Sequence, residues 1–148
     1  MTIIERIDKD TIEALKAGDK FKTTVLRGLK SDIKYAILDH PDSFGDPETI
    51  KVLSSCAKKR RDSIEQFTSG NRPDLAEKEQ KELTIIEVYL PAQLSEDKLR
   101  EIVSAAIIEV GATTPKDMGK IMKVVMPKVQ GQADGKQVNK LVMEILAN

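Results

Sequence analysis

Residues 114–139 read TPKDMGKIMKVVMPKVQGQADGKQVN, and their punctuation is that of two helices joined by a glycine turn. Thr114 is a candidate N-cap, Pro115 takes the first helical position and Asp117 stands three residues beyond the cap, a reduced capping box. Met118, Ile121, Met122 and Val125 recur at helical spacing and mark a buried side. Lys116, Lys120 and Lys123 fall at i, i+4 and i+7 and make a positive stripe on another face. Pro127 lacks an amide proton and disfavours helical geometry at Met126, so this helix is expected to kink or stop there, and Gly131 supplies the left-handed turn that follows. Asp134 caps a last helix with Gln137 at the reach-back position and Gly135 allowing close backbone approach. That helix should bury Val138, Leu141, Val142 and Ile145.

Working upstream, Ser95 followed by Glu96 and Asp97 caps a helix that turns Leu99, Ile102, Val103, Ala106 and Ile107 inward and that Gly111 ends. Leu90-Pro91 closes what precedes it, because a residue before proline resists helical geometry. A boundary is placed there, giving an N-terminal helical lobe over residues 1–91 and a compact three-helix lobe over 92–148. In the first lobe, Thr2 and Glu5 form a capping box. Ile4, Ile7, Thr11, Ala14 and Leu15 define one side of a helix that Gly18 ends. A second helix begins near Asp19 with Val25, Leu26, Leu29, Ile33, Ala36 and Ile37 as a wide stripe. Asp46-Pro47 starts a third that buries Leu53, Cys56, Ala57, Ile64 and Phe67 and closes at Gly70, and Pro73 starts a fourth with Leu83, Ile86 and Leu90 inside. No alternating strand pattern occurs, so the expected fold is all-α, about four helices and then three.

Composition agrees with helix-on-helix burial: 148 residues, 40% apolar, 3% aromatic and no tryptophan, so the interior must be aliphatic. No apolar run reaches the roughly 18 residues of a membrane span, and the opening is acidic and amphipathic, unlike a signal peptide. No membrane association is expected, and the protein is expected to be cytoplasmic. Charge balances at 24 basic and 24 acidic residues, which argues against nucleic-acid binding by bulk charge. Its distribution is uneven. Between Gly111 and Met143 stand Lys116, Lys120, Lys123, Lys128, Lys136 and Lys140 against only Asp117 and Asp134. Such a run reads either as a solvated helix face or as a phosphate-facing surface. The aromatic residues Phe21, Tyr35, Phe44, Phe67 and Tyr89 all precede the boundary. The lysine-bearing lobe therefore has no ring on which to stack a base, and any RNA it holds should be folded and read by shape and phosphate.

The segment DMGKIMKVVMPKVQGQADGKQVNKLV, Asp117 to Val142, resembles the C-terminal signature of the YqeY family, small proteins related to the tail of the B subunit of tRNA-dependent amidotransferase. The opening IIERIDKDTIEALKAGD, the central KKRRDSIEQF (Lys58 to Phe67) and EVYLPAQLSEDKL (Glu87 to Leu99) resemble the family too, so the likeness runs the length of the chain. It implies a role around tRNA and glutamine-dependent amide transfer, in which the tail grips tRNA while other domains catalyse. By that resemblance the second lobe is an RNA-contacting module. Its candidate contacts are Lys116, Lys120, Lys123, Lys128, Lys136 and Lys140, with the Gly131 and Gly135 turns exposing backbone amides. The implied partners are tRNA or another folded RNA and proteins of the translation or amidotransferase machinery. A protein-interaction adaptor without RNA binding is the alternative.

The family name also suggests a carbon-nitrogen ligase using glutamine as amido donor, but the sequence assembles no catalytic set. His40, the single histidine, precedes Pro41 in a turn-rich loop, and Cys56, the single cysteine, sits at core spacing between Leu53 and Ala57. There is no phosphate-binding GK[ST] loop, and no metal or cofactor is implied. The tetrad Lys58, Lys59, Arg60, Arg61 spans about 300° of a helix and cannot make one patch. Arg60 shares the Cys56 side and is expected to lie along a neighbouring helix or pair with an acid such as Glu79. Met118, Met122 and Met126 read as core filling or as a plastic partner surface.

Overall fold

The computed structural model describes residues 1–147, and every regular element among them is helical. The chain divides into two compact units, Met1–Leu90 and a second beginning at Pro91. The first holds α1 (Ile3–Lys16), α2 (Lys20–Asp39), α3 (Asp46–Ser69) and α4 (Pro73–Glu87). The second holds α5 (Glu96–Val110), a 3₁₀ turn at Pro115–Asp117, α6 (Met118–Lys128) and α7 (Gly135–Ala147). No helix of the described residues is long and apolar enough to cross a membrane.

Local chemistry sets the helix starts of the first unit. The Thr2 hydroxyl accepts from the Glu5 amide at 3.1 Å and the Glu5 carboxylate accepts from the Thr2 amide at 2.7 Å, so two orphan donors are satisfied reciprocally. The Gly45 amide donates to Glu48 at 2.9 Å at the head of α3, and Asp46 there accepts from the Ile3 amide at 3.0 Å, tying the starts of α1 and α3 together. Ile7, Leu26, Leu29, Leu53 and Ile86 are fully buried where the four helices meet, each worth about 1.5–3 kcal/mol of transfer free energy. Tyr89 closes the unit. Its hydroxyl donates to Asp10 at 2.5 Å, while the Arg6 guanidinium lies 5.3 Å from its ring centroid and donates to the Val88 carbonyl at 3.4 Å.

Several sequence expectations shift. Leu15, expected inside, is 57% exposed. The stripe that α1 buries is Ile3, Ile7, Thr11 and Ala14, and Leu15, about 100° on from Ala14, falls outside it. Ile37, Ile64 and Phe67 are half-buried at the margin of the core. Arg60 pairs with Glu82 at 3.5 Å instead of Glu79, and Arg61 with Glu87 at 3.6 Å, so the two arginines bind α3 to α4.

The second unit has its own core of Leu99, Val103, Ala106, Ile121, Val125, Val129, Val138, Leu141 and Val142, sharing no residue with the first. The Ser95 hydroxyl caps α5 by accepting from the Lys98 amide at 3.2 Å, and Gly111 ends it at φ +67. Pro127 does not stop α6, which runs on to Lys128. The proline sits in the last turn, where only one intrahelical bond is forfeited before the helix ends anyway.

Candidate nucleic-acid interface

The approach to α6 differs from a capped helix. Thr114 makes no side-chain cap bond, the chain takes a 3₁₀ turn, and Asp117 accepts from the Thr113 amide at 3.2 Å. Lys116 therefore lies in that turn, and the stripe Lys116, Lys120, Lys123 loses its first member from the α-helical register. All six candidate lysines are exposed. On α6, Ile121 and Val125 face the core, and at about 100° per residue Lys120 and Lys123 stand on the far side with Gly119 and Pro127. Lys128 lies about 80° from Lys120, toward α5, and its ammonium group meets Glu109 at 3.5 Å in an exposed pair of little energetic weight. On α7 the core side is Val138, Leu141 and Val142, and Lys136 and Lys140, one turn apart, point directly away from it. The lysines thus make an α6 pair, an α7 pair, one member in the turn before α6 and one at its end. Lys116, Lys120, Lys123 and Lys140 make no ion pair with a described residue.

The glycine turn is more enclosed than its sequence suggests. Gly131 is buried and adopts φ +79, a left-handed conformation that costs other residues about 1–2 kcal/mol. Its carbonyl accepts from the Gln93 side chain at 3.0 Å, the Leu94 amide donates to the Gln132 carbonyl at 3.0 Å, and the Gln132 side chain donates to the Ala92 carbonyl at 3.3 Å. The amides of Gln132 and Ala133 are both committed to the Val129 carbonyl. Hydrogen bonds to residues 92–94 and back to α6 therefore absorb this loop. At the head of α7 the Asp134 carboxylate accepts from the Gln137 amide at 2.9 Å, and Gln137 accepts from the Asp134 amide at 3.1 Å. A carboxylate already occupies the positive end of that helix, where a phosphate would otherwise be favoured. Gly135 has no crowding to relieve: a Cβ there would meet only the Met122 methyl at 3.9 Å, and at Gly119 it would meet nothing within 4 Å.

Met118, Met122 and Met126 are half-buried against the second core. Arg100, which sequence reading passed over, reaches Glu96 at 3.5 Å and Glu144 at 3.1 Å and so joins α5 to α7. Only the Glu96 partner, at i−4, was legible. In the first unit the Cys56 thiol donates to Asp32 at 3.4 Å, and burial followed by that bond raises it to about 11. A thiol so protonated at neutral pH is a poor nucleophile. His40 is exposed at the end of α2.

Comparison with known proteins adds relatives. The protein "Altered inheritance of mitochondria protein 41, mitochondrial" of Lachancea thermotolerans is 35% identical over 116 residues, 76% of this chain and 62% of that protein. Its namesake in Vanderwaltozyma polyspora is 38% identical over 85 residues, 57% of this chain and 46% of that protein. The namesake in Pyrenophora tritici-repentis is 26% identical over 150 residues, 97% of this chain and 81% of that protein. The chain thus spans less than two thirds of the first two relatives. These names overturn the cytoplasmic expectation. The lack of a membrane-length apolar run separates membrane from water but does not distinguish one aqueous compartment from another. A family model described as Yqey-like protein matches residues 4–146, nearly the whole length over which helices, caps and both cores have been traced, and the chain belongs to that family.

Proposed function

We propose that the second unit is a non-catalytic module that holds folded RNA, tRNA foremost, by its phosphates, in the service of an amide-transfer or translation assembly whose chemistry lies on other domains or subunits. The observation that carries this reading is the set of exposed ammonium groups with no carboxylate partner among the described residues, Lys116, Lys120, Lys123 and Lys140. Lys128 and Lys136 extend it on either side. Gly131 contributes by shaping the loop that joins the two lysine-bearing helices, and Gly135 is the first residue of the second of them.

Exposed lysines on the outward sides of two helices support contact with the phosphates of a helical RNA, and the absence of aromatic residues after Tyr89 removes the stacking that single strands need. Likeness to the amidotransferase tail supports tRNA as the duplex in question. The test is binding of purified tRNA by the full chain across roughly 50 to 200 mM salt. With four lysines engaged, log affinity falls against log salt at a slope of about −3 to −4. A flat response, or a single-stranded oligonucleotide of equal length binding as well as tRNA, removes the reading.

A further inference from the structure

The first unit carries an open groove of about 450 Å³ between α1 and α2, with Ile4, Ile7, Ile33 and Ile37 in its wall. The fold does not cover its margins. On α1 the sequence Ile4, Asp8, Ile12, Leu15 runs along one edge at spacings of four, four and three, and Ile12 and Leu15 are 54% and 57% exposed. On α2, Leu38 follows Lys34 by one turn and is 69% exposed. Since the short connection at Ala17–Asp19 makes the two helices antiparallel, helical spacing sets Leu38 beyond one end of the groove and Ile12 and Leu15 beyond the other, outside its lining. The Asp8–Lys30 pair crosses this edge, and exposed apolar side chains grouped beside an apolar groove mark an interaction site more often than scattered surface residues do.

Charge narrows the partner. Arg27, Lys30 and Lys34 stand at i, i+3 and i+7 on the α2 rim, and Asp8 is the one acid lining the groove. Asp8 is held by Lys30 at 2.7 Å, while Arg27 and Lys34 make no ion pair with a described residue. An isoleucine floor beside a cationic rim is the complement of a helix with apolar residues at i, i+4 and i+7 and acids along one flank. RNA laid over the same rim would satisfy the cations and leave the floor in water. We propose that the α1–α2 groove docks an acidic amphipathic helix of a partner protein, a function separate from the lysines of the second unit.

The test uses the full chain with labelled isoleucine methyl groups and two synthetic peptides of about 15 residues, long enough to be helical when bound. Both carry leucines at i, i+4 and i+7, one with glutamates and the other with lysines on the flank. The acidic peptide should shift the methyl signals of Ile4, Ile7, Ile33 and Ile37 and leave those of α5–α7 unmoved. Arg27→Glu with Lys34→Glu, both exposed, should keep the helical circular dichroism, weaken the acidic peptide by on the order of tenfold or more, and improve the lysine peptide. Leu15→Ser with Leu38→Ser should weaken both. The proposal is overturned if the lysine peptide binds the unaltered chain as well as the acidic one, or if the shifts map elsewhere. It is equally overturned if the same methyl groups shift with chain concentration alone, the sign of a second copy, or if tRNA displaces the acidic peptide.

Discussion

The two units use one helical grammar and differ in how many cations they clamp between helices. In the first, some cations are held by the fold while others, Arg27 and Lys34 among them, are not: Arg60 and Arg61 bridge α3 to α4, Lys30 reaches Asp8, and Arg6 lies on the Tyr89 ring. In the second, Arg100 does that work for α5 and α7, and most of the lysines are left to solvent. A cation clamped between two helices has given up its freedom to meet a ligand, whereas an outward one costs the fold little and is available. Charge count alone, 24 of each sign, would have hidden this difference.

The contrast can be broken most forcefully in the cores. Leu53→Ala should cost the first unit about 2–5 kcal/mol and leave amide exchange in α5–α7 unchanged, because the two cores share no residue. Loss of protection in both units together would show that they unfold as one. Next in size, replacing Lys120, Lys123 and Lys140 by alanine should flatten the tRNA salt slope by about 3 while changing stability by less than about 0.5 kcal/mol. Glu82→Ala, by contrast, should destabilise the first unit by about 1–3 kcal/mol, since Arg60 is left without its carboxylate. Thermal melts beside the binding curves separate the two behaviours.

Alkaline pH offers a subtler division. Burial and a carboxylate neighbour raise Cys56 to about 11, and burial with the Asp10 bond raises Tyr89 as well. A folded pKa above the unfolded one means that the neutral form stabilises the fold, fully below the unfolded value and progressively less as pH rises toward the folded one. The first unit should therefore lose stability above about pH 9. Cys56→Ala with Tyr89→Phe should reduce that loss, and the second unit, without Cys or Tyr, should not share it. The smallest effect expected is at two glycines of the second unit. Gly119→Ala, with open space around it, should stabilise α6 by about 0.5–1 kcal/mol, whereas Gly111→Ala at φ +67 should cost about 1–2 kcal/mol.

What the sequence made legible is local. Thr2, Ser95 and Asp134 cap where side-chain spacing says they should, Gly111 and Gly131 take positive φ, and Pro47 and Pro73 start helices, because each depends on neighbours within a turn. The misplacements depend on distant chain. Leu15 has the right period for burial, but which edge of α1 meets the other helices is settled by their approach. Glu82 wins Arg60 over Glu79 for the same reason, two acids one turn apart being indistinguishable until α3 and α4 dock. At the candidate site the lysine register on α6 and α7 could be read, while the pairing of Lys128 with Glu109 and the enclosure of Gly131 by residues 92–94 needed the tertiary structure. The α1–α2 groove left one mark in the sequence, the i, i+3, i+7 spacing of Arg27, Lys30 and Lys34.

The seclusion of the chain's lone sulfhydryl gives the first unit a built-in clock. Cys56 is 3% exposed, so a chromogenic disulfide reagent can reach Sγ only in conformations where α3 has come away from its neighbours. The reaction rate, set against that of the denatured chain, counts how often this happens. No substitution has to be introduced to read it. Because the second unit contributes no thiol, the same trace reports on the first unit alone.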